Sequence, residues 1–312
     1  MKWKVGLLVG LMMLFVTLTA QAEDCAQATQ LVTQAYDLGQ DPSVFPEQKQ
    51  VLHRALQLCP GDPQAHNNLA VILEEEQDYP QALAHYQEAV RLKPDLAEAW
   101  LGIGEVYSKT GKFALSLEAY VNACRKDQDA RRKIEELLAS GKYRAAEAGE
   151  LLDRGSLTLL FDQPRLDAVN AKLRACGFDL ITRGGTTFRA YMEPTAICRN
   201  ILFETGAATL QPESRPQLTE ISAALLNVNA GTVIISGHTD KQPFKGCSQE
   251  ESDRKNMQLS KDRAETVAQA LAALGVPRSR IETYGYGPTQ PLVAGDTPEA
   301  YAQNRRVTIE HQ

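Results

Sequence analysis

The chain has 312 residues, 33 of them basic and 39 acidic, for a formal net charge of −6. Hydrophobic residues at 43% with 23% charged exclude both wholesale disorder and a polytopic membrane protein. The acidic balance excludes a broad polyanion-binding surface, so no nucleic-acid partner is expected.

At the start, Met1 to Lys4 is a short basic stretch and Val5 to Ala20 is uncharged and apolar, and Ala20-Gln21-Ala22 supplies a small-x-small site. This pattern predicts a signal peptide over 1–22, cleaved before Glu23. The apolar run is shorter than the ~20 residues a spanning helix prefers, so the processed chain is not expected to span a membrane. The acidic approach to Cys25 does not resemble a lipobox. Cleavage removes Lys2 and Lys4 but no acid, moving the charge from −6 to −8 and leaving 290 residues. That length suits two domains at ~100–200 residues each.

All six cysteines follow the leader. In an oxidising compartment they allow three disulfides in fifteen connectivities. Cys25–Cys59 is argued below from geometry, whereas Cys198–Cys247 and Cys124–Cys176 are guesses for the remainder. There is no CxxC, no HExxH and no Cys/His cluster at metal-ligand spacing, so neither a metal nor a cofactor is expected.

The stretch 23–130 repeats itself with a period of 34 residues: Ala55, Ala89 and Ala123 share one phase, Leu52, Tyr86 and Tyr120 another, and Pro60 and Pro94 a third. Small residues at such spacings let antiparallel helices approach, aromatic residues fill the gaps, and proline closes each second helix. This pattern resembles the tetratricopeptide repeat, in two good copies (about 63–96 and 97–130) behind a degenerate first copy stretched through Asp41 to Pro46. Cys25 precedes the first helix of that copy and Cys59 sits near the end of the second, and an antiparallel hairpin joins those ends. Gly102-Ile103-Gly104 belongs to the repeat and not to a dinucleotide loop, because no strand precedes it. The resemblance implies a concave peptide-binding face, for which Asn67, Val71, Glu74, Leu101 and Glu105 are candidates. His53, His66 and His85 read as repeat-surface residues.

Residues 131–195 read as a helical cap and a small ordered connector, with a second short amphipathic helix at Leu166, Val169 and Leu173. A hairpin is expected from Phe178–Arg183 and Thr186–Tyr191 around Gly184-Gly185. From 196 to 312 the pattern alternates between strand and helix. Strands are expected at Ile201–Phe203, Val233–Ile235, Ile281–Tyr286 and Arg306–Ile309. Helical stripes run through Leu218, Ile221 and Leu225, and through Ala264, Val267, Leu271 and Leu274 up to Gly275 and Pro277.

Five blocks stand in order in this stretch: Asn200-Ile-Leu-Phe203, Gly237-His-Thr-Asp240, Asn256 with Leu259, Ser260, Arg263 and Ala264, Gly285-Tyr-Gly287, and Asn304-Arg-Arg-Val307. Together they resemble the OmpA-like peptidoglycan-binding domain, and the whole chain is a multidomain α plus α/β protein. The resemblance implies a βαβαβ sandwich whose ligand is the diaminopimelate of the cell-wall stem peptide. The free end of diaminopimelate carries an ammonium and a carboxylate on one carbon. Recognition therefore calls for an anion and a forked donor. Asp240 and Arg263 suit those roles. A helix reaching back to Asn256 would place Asn256, Ser260 and Arg263 on one face. Thr239 and Leu259 would flank the ligand, and one of Arg305 or Arg306 would add a second donor. Three other arrangements compete: an Asp240–Arg263 structural ion pair, His238 as a packed loop residue, and Arg305-Arg306 covering a strand edge. The fifteen residues 241–255, with Cys247 among them, exceed the spacing of compact relatives and fold either away from the pocket or over it.

These features imply a non-catalytic periplasmic protein that binds peptidoglycan and offers its repeats to an unidentified protein or peptide. It is expected at the cell wall of a Gram-negative envelope, with outer-membrane association as a variant. A pure scaffold with a lost pocket is the alternative, and a cell-wall hydrolase lacks any recognisable catalytic set.

Overall fold

The computed structural model describes residues 22–312, apart from 148, 179, 184–185, 190 and 229–230. The predicted leader lies outside the described residues. Among them, no helix is long and apolar enough to cross a membrane. The chain forms two compact units. One comprises the residues up to Lys109 together with Asn122–Ala130, and the other Thr110–Val121 together with Arg131–Gln312.

In the first unit, residues 22–37 (α1) are followed by α2 (Phe45–Leu58), α3 (Pro63–Glu75), α4 (Tyr79–Leu92) and α5 (Ala97–Lys109). Local chemistry sets the starts of these helices. The Asp62 carboxylate accepts from the backbone N–H groups of Gln64 and Ala65, and Asp78 does the same for Gln81, each with a proline in the first turn. The stretched α1–α2 connection is pinned by buried Gln48, whose amide donates to the carbonyls of Ala35 (2.8 Å) and Gly39 (2.7 Å). The α1–α2 hairpin carries the Cys25–Cys59 disulfide at a Cα–Cα separation of 4.8 Å, as the hairpin argument expects.

Members of the 34-residue pattern stand in the core of this unit, where Leu52, Ala55, Tyr86 and Ala89 are all buried. A Cβ on Gly102 would lie 2.2 Å from the ring of Tyr86, so α5 reaches α4 only because that Cβ is missing. The Tyr86 hydroxyl donates to Glu74 (2.8 Å), which also receives Lys109 (2.8 Å). Burial, followed by the Glu74 charge, raises the Tyr86 pKa.

The second unit holds α6 (Phe113–Ala123, up to Val121), most of α7 (Gln128–Ser140), β1 (Ala145–Ala146), α8 (Arg154–Phe161), α9 (Gln163–Ala175), the β2–β3 hairpin (Leu180–Arg183 and Thr186–Arg189), β4 (Thr195–Cys198), α10 (Arg215–Asn227), β5 (Val233–His238), α11 (Gln249–Ala273), β6 (Ile281–Gly287), α12 (Pro298–Asn304) and β7 (Arg306–His311). The two hairpin strands pair antiparallel as expected, and the Gly184-Gly185 turn lies outside the described residues. The main sheet runs β1-β4-β7-β5-β6, with β5–β6 and β1–β4 parallel and β7 antiparallel to both of its neighbours.

Two expectations need correction. Ile201–Phe203 is not a sheet strand: the strand lies just before it at Thr195–Cys198, and Phe203 makes only an isolated bridge to Leu210. The chain leaves the sheet at Asn200, whose buried amide donates to the Glu150 carbonyl (2.7 Å) and to the Gln217 side chain (2.6 Å). The guessed Cys198–Cys247 bridge is absent, and both are free thiols. Cys198 is sealed in the sheet core, where burial pushes its pKa up to about 12, and Cys247 stands in the loop before α11 with its sulfur 3.0 Å from Lys255 Nζ. Cys124 and Cys176 are both disulfide-bonded.

Connector residues join the C-terminal sheet directly. β1 adds an edge strand, Gln217 accepts from the Leu152 N–H (2.9 Å), and Arg199 pairs with both oxygens of Glu147.

In an open helix Gly→Ala stabilises by about 1 kcal/mol. At Gly102 the clash with Tyr86 reverses the sign, and Gly102→Ala should destabilise by roughly 1–3 kcal/mol, the usual range for overpacking. Urea unfolding measures this, and unchanged or raised stability would refute the close-approach role.

Candidate functional site

The site is built where α11 crosses the ends of β5 and β6. A Cβ on Gly237 would stand 2.0 Å from the Ser260 carbonyl oxygen, and one on Gly285 2.4 Å from the Lys261 nitrogen. These glycines let the helix lie directly on the strands. Ser260 fastens the contact by accepting from the Gly287 N–H (2.9 Å) and donating to the Met257 carbonyl (2.7 Å). Ser260 shares a face with Asn256 and Arg263, as its spacing suggests, but it is fully buried and serves the helix–strand seam.

That seam sets Asn256, Leu259 and Arg263 beside Thr239 and Asp240, which follow the end of β5. A cleft of about 760 Å³ opens between them, completed by Ile201–Phe203, the loop Gln242–Lys245, Arg199, Glu147, and Arg305-Arg306 at the start of β7. All six predicted ligand residues therefore line or floor one cavity. The sequence missed Phe203, Phe244, Arg199 and Glu147 as lining residues. Glu147 comes from the connector, which the pattern gave no reason to join to this site.

Asp240 is 8% exposed. One carboxylate oxygen accepts from the Gln242 N–H (2.9 Å) and the other from Arg305 Nη1 (2.6 Å). The ion pair at Asp240 is thus with Arg305 and not with Arg263. Arg263 lies over the Phe203 ring at 4.9 Å and donates through Nε to the Ala207 carbonyl (3.0 Å). Stacking and that single bond fix the guanidinium plane while its two terminal nitrogens have no protein partner among the described residues. Burial and then Arg305 lower the Arg263 pKa, partly offset by Asp240. Asn256 is buried and donates weakly to the Gln242 carbonyl (3.4 Å).

Arg306 turns toward the floor, donating to the carbonyls of Asn304 (3.3 Å) and Gln290 (3.1 Å). Burial, then Arg199 and Arg144, bring its pKa down to about 10, so it stays charged at neutral pH. His238 packs face to face with Tyr286 (5.5 Å) and sits 3.4 Å from the Thr308 hydroxyl, which matches the packed-residue reading. Burial and then Arg306 push its pKa down to about 3, which keeps the ring neutral. Among the described residues, the buried atoms His238 Nδ1, Thr239 Oγ1 and Arg306 Nε around this floor have no hydrogen-bond partner. Unsatisfied buried groups cost free energy.

The charge balance also points to an anion. Glu147 is taken up by Arg199, so Arg263, Arg305 and Arg306 face a single remaining carboxylate, Asp240. A net-negative chain thus carries a net-positive cleft. The long 241–255 stretch is half loop and half helix. Gln242–Lys245 form one wall, the Phe244 N–H donates to Ser252 Oγ (3.0 Å), and residues from Gln249 onward are the first turns of α11. Arg305 remains 46% exposed at the mouth.

Of the proposed concave-face residues, Val71 is 45% exposed, and Leu101 and Glu105 are half-buried. Asn67 is buried, and Glu74 is occupied by Tyr86 and Lys109. Among the described residues no group of three or more His, Cys, Asp or Glu is arranged to hold a metal ion.

Residues 202–305 match the OmpA family model, 72–111 a TPR repeat model and 97–128 a tetratricopeptide repeat model. The chain thus carries an OmpA-family domain behind tetratricopeptide repeats. Among curated proteins it is similar to the probable lipoprotein YiaD of Escherichia coli, 36% identical over 138 residues, covering 44% of this chain and 57% of that protein. It is similar to the outer-membrane lipoprotein YfiB of Pseudomonas aeruginosa, 37% identical over 109 residues, covering 35% and 60%. It is also similar to a peptidoglycan-associated lipoprotein of Pseudomonas putida, 31% identical over 107 residues, covering 34% and 59%. The chain thus spans 60% or less of the length of each of these relatives.

A neutral buried histidine makes stability depend on pH. Between the ordinary value of 6.5 and about 3, the unfolded chain binds a proton at His238 that the folded chain does not. This contribution is therefore whole above 6.5 and is lost as pH falls toward about 3. His238→Asn should flatten the fall in unfolding free energy over that window. An identical pH slope in both proteins would contradict the assignment.

Proposed function

We propose that the cleft binds the zwitterionic end of diaminopimelate in the peptidoglycan stem peptide, and that the protein is a non-catalytic, cell-wall-associated component of the periplasm. The observation that carries this reading is one buried carboxylate set beside a planar, stacked guanidinium with free terminal nitrogens. The ligand ammonium joins Arg305 on Asp240. The ligand carboxylate lies between Arg263 and Arg305, where a forked donor takes both oxygens. Thr239, Leu259 and Asn256 fit the carbon on which both charges sit. The matched relative from Pseudomonas putida carries peptidoglycan association in its name, which supports the same ligand.

The Gln242–Lys245 wall lines the cleft, and this favours a working pocket over a scaffold whose pocket is lost. The tetratricopeptide repeats then present a protein or peptide partner at the wall, with Val71, Leu101 and Glu105 the accessible members of the proposed face and Asn67 and Glu74 shaping it from beneath.

The test is co-sedimentation with purified sacculi. Wild type should pellet with them, and Asp240→Ala or Arg263→Ala should weaken binding by more than about tenfold, since truncating one partner of a buried charge pair costs about 2–5 kcal/mol. Unchanged circular dichroism and melting would show the fold intact. Equal pelleting of all three proteins would remove the pocket assignment, and no pelleting by wild type would leave the scaffold reading.

A further inference from the structure

Two histidines nineteen positions apart in the chain meet in the first unit. His66 lies on α3 and His85 on α4, and the tight hairpin between those helices brings their Nδ1 atoms to 2.9 Å, with ring centroids 5.2 Å apart. Both side chains are half-buried, so they are fixed in place and still reachable from solvent.

The proton positions follow from the neighbours. His66 Nε2 is 3.0 Å from the Pro60 carbonyl, which can only accept, so Nε2 carries the hydrogen and Nδ1 keeps its lone pair when the ring is neutral. An imidazole whose far nitrogen is tied to a backbone carbonyl is the arrangement that orients metal-ligating histidines. At His85, burial and then the nearby His66 and His53 lower the pKa, favouring the neutral ring. Its Nδ1 hydrogen bridges to His66, and moving that hydrogen to Nε2 turns both Nδ1 lone pairs toward the same point without net proton release.

We propose that His66 and His85 form a bidentate site for a borderline divalent transition cation of the Zn²⁺, Ni²⁺ or Cu²⁺ type. Two nitrogens bound at about 2.0–2.1 Å to one tetrahedral Zn²⁺ stand about 3.3 Å apart. The pair is already near that bite, and the rings need to part by only a few tenths of an ångström. Imidazole donors select these cations over Mg²⁺ or Ca²⁺. Since among the described residues no third His, Cys, Asp or Glu is placed to complete the shell, water would fill the other positions. Neighbouring ionisable groups are His53 on α2 and, one turn past His85 on α4, Glu88, whose carboxylate feels His66 and is paired with Arg91 (2.6 Å). The site lies within the repeat unit and is independent of the peptidoglycan reading.

The probe is Zn²⁺ alone, titrated calorimetrically into the intact protein near neutral pH. One saturable site of micromolar affinity is expected, weakening in mildly acid buffer as protons compete for the imidazoles. His66→Ala and His85→Asn should each weaken it by more than about tenfold. The asparagine can keep a hydrogen bond to His66 without supplying an imidazole, so it separates ligation from hairpin support, and it decides the matter if His66→Ala fails to fold. Cys247→Ser, which removes the accessible thiol, should leave binding unchanged. Loss of binding in Cys247→Ser, retention in His85→Asn, or no saturable binding at all would overturn the proposal.

Discussion

The contact on which the C-terminal unit depends is the direct seating of α11 on β5 and β6 across Gly237 and Gly285. With Ser260 O 2.0 Å and Lys261 N 2.4 Å from where side-chain carbons would stand, helix backbone meets strand with nothing between. This closeness fixes the height and rotation of α11. Its rotation aims Asn256, Leu259 and Arg263 at the strand end that carries Thr239 and Asp240. The cleft residues are therefore placed by two positions that have no side chain. Ser260, which the spacing groups with Asn256 and Arg263, is spent on holding this seam through the Gly287 N–H.

Electrostatics then shape what the placed residues can receive. Burying a lone carboxylate is costly, and Asp240 is accommodated by the Gln242 N–H and by Arg305. Because Arg305 takes that role, Arg263 is left stacked on Phe203 with its fork unoccupied. In the proposed function this division is what suits the cleft to a ligand end bearing both charges. Arg306 and His238 below form a floor that pairs a cationic guanidinium with a neutral imidazole.

Much of this was legible in the sequence because it is local or periodic. The 34-residue period gave the hairpins, and hairpin geometry alone placed Cys25 near Cys59. The helical spacing of Asn256, Ser260 and Arg263 gave a shared face that α11 bears out. The failures come from contacts that no local pattern encodes. Ile201–Phe203 has the composition of a strand, yet Asn200 bonds to Glu150 and Gln217 and takes the chain out of the sheet. Glu147 reaches the cleft because β1, a two-residue strand from the connector, pairs with β4. Glu74 has the right spacing for an open face, and only the fold shows it turned to Tyr86 and Lys109. His66 and His85 show no metal-ligand spacing in the chain, and the hairpin is what joins them.

The central claim is that the cleft recognises an ammonium and a carboxylate together. The most direct measurement is a calorimetric titration of the intact protein with free diaminopimelate against cadaverine, the same five-carbon diamine without its carboxylates. Saturable binding of diaminopimelate, no binding of cadaverine, and loss of the diaminopimelate signal in Arg263→Ala is the predicted result. Equal binding of the two compounds, or binding of diaminopimelate that survives Arg263→Ala, would contradict it.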